Sequence, residues 1–170
     1  MTFNDLARKR YSCRKLSAKP VEQEKLDAII EAGILAPTAC NKQPFRIWAA
    51  KSPDAVKAIH EVTPYTFGAE VFLIVGAKRD EAWERPADNA NFADVDATIV
   101  ATHMMLAIED QGLATTWVGY FDAPKLQELI PELAGYDLVA LFPVGYADPS
   151  ASPSPMHTKR KRVAELVTNL

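Results

Sequence analysis

The sequence predicts an α+β fold, in which helices and strands pack in layers around a shared core. Two observations lead to this prediction: a long apolar helix follows the middle of the chain, and four strand-like segments stand among helices without strict alternation. The composition is that of a globular protein, since 48% of the 170 residues are hydrophobic and 24% are charged. Disordered and fibrous classes are therefore excluded.

Helices are expected in five places. In residues 21–36, apolar side chains from Leu26 to Ile34 repeat at the spacing of one helix face, and Pro37 ends the segment. Residues 94–111 form the longest predicted helix, and their apolar side chains surround the axis, so other elements should cover this helix on most sides. Shorter helices are expected at residues 2–10, 53–62 and 124–130.

Strands are expected at residues 45–50, 71–75, 114–121 and 138–146. The run 71–75 is continuously apolar and rich in strand formers, which predicts a buried central strand. Pro143 indicates a sheet edge or a bulge, because proline has no N–H to donate. Residues 78–91 are polar and have no clear period, and Trp83 within them either touches substrate or lies in an exposed turn.

Positive charge is concentrated at the two ends of the chain. Residues 1–20 carry a net charge of +5 and residues 157–170 carry +3, whereas the stretch between them carries −11, for a total of −3. One interpretation is that both ends bind a single anion such as a phosphate. The alternative is two solvated, mobile termini. A nucleic-acid site at residues 159–162 is disfavoured, because four basic residues are a short signal and no stripe of basic and aromatic residues accompanies them.

Other classes of protein are disfavoured by what the sequence lacks. The longest apolar stretch, residues 97–108, falls short of the roughly 20 residues that a membrane span needs, and His103 within it is expected to be a core histidine. The first residues contain no hydrophobic secretory run, so we expect a cytoplasmic protein. Two cysteines are too few for a disulfide framework. Asp94 and Asp96 have no third ligand at a suitable spacing, so no metal site is expected.

Three motifs are candidates for binding chemistry. In residues 10–14, alternate side chains of an extended segment would present Arg10, Ser12 and Arg14 on one side, which suits an anionic ligand. In residues 36–45, a polar loop between helix and strand carries two side-chain amides that can both donate and accept. The ordinary alternatives are a common polar segment and a capped turn.

The third motif spans residues 112–119. A predicted strand that ends at Gly119 allows the backbone to approach a flat ligand closely. Simple core packing around Trp117 is the alternative interpretation. The Pro-rich residues 149–155 then form an extended arm, which carries the C-terminal basic cluster away from the sheet.

Taken in order, these segments resemble the FMN-dependent nitroreductase family over about residues 6–167. Its members open with an Arg-Arg-Ser-x-Arg-like element, continue with Ala-Pro-Ser-x-x-Asn-x-Gln-Pro-Trp and Gly-Leu-Gly-x-x-Trp-x-Gly, and close with a Lys/Arg-rich element. The element Asn41-x-Gln43-Pro44 is the most specific match. The resemblance implies a central, mostly antiparallel sheet flanked by helices. It also implies one domain over residues 1–170, whose arm 149–170 is exchanged across a homodimer.

The resemblance further implies two FMN sites at the subunit interface. Positions that match cofactor-binding positions of the family are Arg10, Tyr11, Ser12, Arg14, Pro37, Thr38, Asn41, Gln43, Trp117, Val118, Gly119, Lys159 and Arg160. Residues 10 and 12 match the phosphate and ribityl positions, and residue 14 matches the pyrimidine edge. Residues 37–41 match a loop that reaches the partner's FMN, residues 117–119 line the isoalloxazine, and residues 159–160 close on the phosphate.

The implied activity is that of an NAD(P)H-dependent flavin oxidoreductase. Hydride passes from NAD(P)H to the flavin and then, in a ping-pong sequence, to a nitroaromatic, a quinone or a similar electrophile. The chemistry belongs to the cofactor, so no side chain is assigned as catalytic. A non-catalytic protein that stores or senses FMN is the alternative. The sequence does not distinguish NADH from NADPH and does not identify the physiological substrate.

Three departures from the family pattern are visible. Tyr11 replaces the usual Arg or His, Phe45 replaces Trp, and Ala39 replaces a usual Ser and so removes one hydroxyl contact. Residues 60–95 also lack room for the helical excursion that larger members place over the flavin. Substrate specificity is therefore not inherited from the resemblance.

Overall fold

The computed structural model describes residues 2–170. Its helices are α1 (Phe3–Lys9), α2 (Gln23–Ile34), α3 (Pro53–Val62), α4 (Ala93–Asp110), α5 (Ala123–Leu129) and α6 (Val163–Leu166). Its strands are β1 (Phe45–Ala50), β2 (Val71–Ala77), β3 (Glu84–Arg85), β4 (Ala90–Asn91) and β5 (Asp137–Val144). The helices expected from the sequence lie within two residues of their predicted bounds. None of the helices described here is long and apolar enough to cross a membrane.

The central sheet has the strand order β1-β2-β5, and both pairs are antiparallel. Its middle strand is the one that the apolar run predicts, and Phe72 to Val75 are at most 1% exposed. A register shift between Val75 and Gly76 interrupts the pairing of β2 with β5. The predicted mixed arrangement of helices with an antiparallel sheet is therefore confirmed.

Alternate residues of β2 enter two apolar clusters on opposite faces of the sheet. Leu73 and Val75 join α2 and α4 on one face, whereas Phe72 and Ile74 join α3 and α5 on the other. This alternation is what a strand buried on both faces requires. The sheet thus lies between two helical layers.

Helices α2 and α4 pack closely because a glycine stands at their contact. A Cβ atom on Gly33 would lie 2.7 Å from Met104 Cγ. Of the α4 residues, only Asp94, Val95, Thr98 and Asp110 are exposed, and Val95 is 47% exposed. The expectation that other elements cover this helix on most sides is therefore confirmed within this chain.

The strand predicted at residues 114–121 is not a continuous strand. It lies beside β5 but is joined to that part of the chain by isolated bridges, Ala114 with Gly145 and Val118 with Leu141. Each bridge exchanges two backbone hydrogen bonds, of 2.7 and 3.2 Å and of 2.9 and 3.3 Å respectively. The segment is extended, but the ladder between the bridges is broken.

Pro143 explains this break. It lies halfway between Leu141 and Gly145, which form the two bridges, and it has no N–H to donate to the opposing backbone. Its carbonyl instead accepts a 2.7 Å hydrogen bond from the hydroxyl of Thr115. The sequence correctly placed Pro143 at an irregular edge, and the prediction of an unbroken strand opposite it was wrong.

The polar residues 78–91 contain the small hairpin β3–β4, which the sequence did not predict. The ring of Trp83 packs edge-to-face against Phe92, with ring centroids 4.9 Å apart. Arg79 pairs with Asp94 and with Asp137, which attaches the segment to α4 and β5. Trp83 is consequently a half-buried part of an ordered hairpin.

The C-terminal arm runs along the segment that follows α1. Lys15 Nζ lies 2.5 Å from Ser150 Oγ, and His157 Nε2 lies 3.1 Å from the carbonyl oxygen of Arg8. The arm ends in α6, none of whose residues is buried. This course brings the two basic ends of the chain together.

Candidate functional site

A first cavity lies where the segment after α1 meets the C-terminal arm, and we name it the basic cavity. It has a volume of about 210 Å³ and is lined by Arg10, Ser12, Arg14, Ser154, Met156, His157 and Arg160. Ser12 forms a parallel bridge with Thr115, which keeps its segment extended. Residues 10, 12 and 14 therefore face one side, as the sequence predicts.

The basic cavity has no acidic side chain to balance its charge. Within residues 2–170, Arg10, Arg14 and Arg160 form no ion pair with a carboxylate. Arg14 donates to the carbonyl oxygen of Ser12 at 3.2 Å, and Arg160 donates to that of His157 at 2.6 Å. Three guanidinium groups around one cavity repel one another unless an anion lies between them. The arrangement fits a phosphate group.

A second cavity, which we name the aromatic cavity, shares Arg14 with the first. Its volume is about 220 Å³, and its lining consists of Arg14, Tyr65, Phe67, Thr116, Trp117, Val118, Gly119 and Tyr120. The rings of Tyr65 and Phe67 are stacked with centroids 6.0 Å apart, and the ring of Tyr120 lies 5.8 Å from Tyr65. A ligand with an anionic end and a flat aromatic end could therefore occupy both cavities, with Arg14 at the junction.

The turn that carries these rings has an unusual backbone. Phe67 has a φ of 53°, in the left-handed region that bulky residues rarely adopt, and Gly68 follows with a φ of 83°. The carbonyl oxygen of Phe67 accepts a 3.0 Å hydrogen bond from the N–H of Leu16. The N-terminal basic segment and the aromatic turn are thus held together by a direct backbone contact.

The backbone of residues 117–119 offers free hydrogen-bond donors. The N–H of Val118 points to the sheet side and donates to Leu141 at 2.9 Å. In the described part of the chain, the neighbouring N–H groups of Trp117 and Gly119 donate no hydrogen bond. A Cβ atom added to Gly119 would meet no atom within 4 Å. A flat ligand can therefore approach this backbone closely.

The loop with the amide side chains lies outside both cavities. Cys40, Asn41 and Gln43 have left-handed backbone, with φ values of 49°, 52° and 51°, which residues other than glycine rarely adopt. Thr38 Oγ1 accepts from the N–H of Gln43 at 3.0 Å, and Gln43 Nε2 donates to Asn41 Oδ1 at 3.2 Å. Strained backbone of this kind concentrates at functional sites. Within one chain, however, Pro37, Thr38, Asn41 and Gln43 do not join the other predicted site residues.

A buried carboxylate fixes this loop. Asp96 on α4 is 1% exposed, and its Oδ1 accepts from the N–H of Ala39 at 2.9 Å. Its Oδ2 has no hydrogen-bond partner among the described residues. The sequence predicts no metal site at Asp94 and Asp96, and in the structure the carboxylate of Asp96 contacts this loop.

The predicted site residues therefore divide into groups. Arg10, Ser12, Arg14 and Arg160 line the basic cavity, and residues 117–119 line the aromatic one. Lys159 is exposed and is not part of either lining. Tyr11 does not line the basic cavity, and burial, together with a hydrogen bond to Cys13, raises its pKa to about 12.

Several lining residues were missed from the sequence. His157, which belongs to none of the three motifs, is half-buried against Tyr11, with ring centroids 6.3 Å apart. His103, expected in the core, is only half-buried. None of the three motifs contains Tyr65 or Phe67. The sequence signal for this turn is a pair of aromatic residues that precede a glycine and a buried strand.

Comparison with known proteins identifies the family of this chain. The nitroreductase family model matches residues 7–66 and 63–146. A nitroreductase family protein from Clostridium difficile 630, of known structure, is 31% identical, with a TM-score of 0.90 over 99% of this chain and 98% of the other. A nitroreductase structure in complex with FMN from Desulfovibrio desulfuricans is 26% identical, with a TM-score of 0.77 over 98% and 95% of the two chains.

A curated relative from Methanothermobacter thermautotrophicus is named as an NADH dehydrogenase/NAD(P)H nitroreductase. It is 28% identical over 66% of this chain, and the match spans 58% of the relative's length. The family typically binds FMN. Since the family model covers more than half of the residues, the resemblance inferred from the motifs is confirmed, and the chain belongs to the nitroreductase family.

Proposed function

We propose that this chain is an FMN-dependent oxidoreductase that uses NAD(P)H to reduce nitroaromatics, quinones or similar electrophiles. The observation that carries the proposal is the pair of adjoining cavities that share Arg14. One cavity is rich in unpaired guanidinium groups, and the other combines aromatic rings with open backbone. FMN has a phosphate at one end, which fits the basic cavity, and a flat ring system at the other, which fits the aromatic cavity.

The residues of the basic cavity would hold the phosphate. Arg10 and Arg160 supply guanidinium donors, and Ser12 supplies a hydroxyl between them. Arg14 at the junction places a fixed positive charge beside the ring system, where it stabilises negative charge that develops during reduction. When bound, FMN supplies the capacity to accept a hydride from NAD(P)H and to pass it to an electrophile.

The residues of the aromatic cavity would position the ring system and its partners. The N–H groups of Trp117 and Gly119 are free to donate to ring acceptors, and the open space at Gly119 admits a flat molecule. The rings of Tyr65 and Tyr120 border the same space and offer faces for a planar substrate. Tyr120 is 72% exposed, so this border is open to solvent in the single chain.

We also propose a homodimer in which the arm 149–170 is exchanged between protomers through its end, α6, while residues 150–160 keep the contacts with their own chain. Exposed apolar side chains on two helices support it: Val95 on α4, and Val163 and Leu166 on α6. The strained loop at residues 37–43 would then contact the FMN of the partner, which explains its distance from both cavities. Each protomer would be one domain over residues 1–170. The cytoplasmic location remains a prediction.

The absorbance spectrum of the purified protein tests the proposal. We expect a flavin spectrum that bleaches when NADH or NADPH is added and returns when a quinone or nitrofuran is supplied. A flavin spectrum that neither nucleotide changes would favour the alternative, a protein that stores or senses FMN. A colourless protein that takes up no FMN would refute both.

A further inference from the structure

His157 lines the basic cavity, and the proposed function assigns it no role. It lies on the C-terminal arm and is half-buried, and its Nε2 is 3.1 Å from the carbonyl oxygen of Arg8. A carbonyl oxygen only accepts hydrogen bonds, so Nε2 must carry the proton in this contact. The second ring nitrogen, Nδ1, is then a lone pair in neutral histidine and an N–H donor in the charged form.

The charged side chains that line the cavity together with His157 are all cationic: Arg10, Arg14 and Arg160. The contact of His157 with Arg8 involves only the backbone carbonyl oxygen of Arg8. The carboxylate of Glu109 on α4, which acts on the neighbouring Tyr11, is already paired with Lys9 at 3.0 Å. The hydroxyl of Tyr11, whose pKa burial raises to about 12, is neutral near pH 7 and adds no negative charge.

An anion bound in the cavity would change the charge around His157. A phosphate group among the guanidinium groups would attract a positive imidazolium and accept a hydrogen bond from Nδ1. We propose that His157 binds the phosphate of the flavin nucleotide in its charged form, so that Nδ1 takes up one proton from solvent on binding and returns it on release. The inference rests on the proposed function, which identifies the anion as FMN.

The sign of the pH dependence follows from this proton uptake. Because the bound state holds one proton more than the free state, the contribution of His157 to affinity grows as the pH falls through the histidine range. The phosphate also titrates, with a second pKa near 6, and its protonation weakens binding in the same range. The pH profile of the wild-type protein alone therefore mixes two effects, which only a comparison of variants separates.

The test compares three proteins: wild type, His157→Gln and His60→Gln. His60 is exposed on α3 and lines neither cavity, so it is the matched control. FMN and riboflavin, which lacks the phosphate, are titrated by quenching of flavin fluorescence. We expect His157→Gln to bind FMN about 5- to 10-fold more weakly than wild type at about pH 6 and almost equally at about pH 8. Riboflavin affinity should be the same for all three proteins.

A second measurement does not depend on a variant's affinity. The protein has three histidines, so the imidazole NMR signal missing from His157→Gln identifies His157. Its pKa in wild type should rise when FMN is added and should not change with riboflavin. A constant ratio of FMN affinities between wild type and His157→Gln across the pH range would overturn the inference and leave the proposed function standing. Failure of the wild type to bind FMN at any pH would overturn both.

Discussion

Asp96 Oδ1 accepts a hydrogen bond from the backbone N–H of Ala39 at 2.9 Å, which joins the long helix α4 to the strained loop at residues 37–43. The other oxygen of the same carboxylate has no partner in the described chain. Buried polar atoms are normally satisfied, and this one lies next to the position where the family often has Ser instead of Ala. The unpaired Oδ2 of Asp96 and the hydroxyl that Ala39 lacks are therefore the two halves of one hydrogen bond that the described chain does not form.

Ala39→Ser should supply this missing hydrogen bond. The new hydroxyl would stand on the residue whose N–H already binds Oδ1, and it would donate to Oδ2. A hydrogen bond to a charged group contributes about 1.5 kcal/mol or more. We expect a rise in Tm of about 3–6 °C, measured by calorimetry. The same substitution in an Asp96→Ala background should give no gain. A Tm that does not rise in the wild-type background would contradict this account.

Arg14→Ala should weaken flavin binding without destabilising the fold. Arg14 lines both cavities, and its one hydrogen bond within the described chain goes to Ser12 in its own segment. Loss of a charge-assisted contact predicts about a 10-fold rise in the Kd for FMN or more, and slower reduction by NAD(P)H. The control is Arg85→Ala, since Arg85 pairs with Asp88 in the hairpin β3–β4 and lines neither cavity. Equal Kd values for Arg14→Ala and wild type would remove the assigned role.

Most of the fold could be predicted because its information is local. The amphipathic spacing in α2 and the continuous apolar run of β2 each depend on the residue types of one segment. The break in the predicted strand at residues 114–121 could not be found in this way. It depends on Pro143, which lies more than 20 residues away along the chain and meets the segment only in the folded sheet.

The same distinction applies to the candidate site. The alternation of Arg10, Ser12 and Arg14 is a local property, and the structure places all three at one cavity. His157 and Phe67 reach the site through contacts with Arg8 and Leu16, distant residues whose proximity no short motif encodes. The resemblance to the family supplied the order of the motifs but not these additional side chains.

Truncation after residue 148 tests the exchanged arm. The deletion removes Arg160 and His157 from the basic cavity and the apolar face of α6 from its proposed place on the partner. We expect weaker FMN binding and a shift from dimer to monomer, measured by light scattering after gel filtration. Alanine at Lys161 alone should leave both properties unchanged, since that side chain lines neither cavity. A truncated protein that remains dimeric with full flavin content would refute the assignment of the arm.

Gly119→Ala adds a single methyl group, which tests whether this position matters for flavin binding or for folding. The added Cβ meets no protein atom within 4 Å, and Gly119 is not among the glycines with positive φ, so the free energy of unfolding should change by less than about 0.5 kcal/mol. The same methyl group would project from the backbone that the flavin ring is proposed to contact, so the Kd for FMN should rise several-fold. Gly33→Ala is the converse control: its Cβ would lie 2.7 Å from Met104 Cγ, which predicts a loss of about 1–3 kcal/mol of stability. If Gly119→Ala binds FMN as tightly as wild type, the flavin ring does not lie against this backbone.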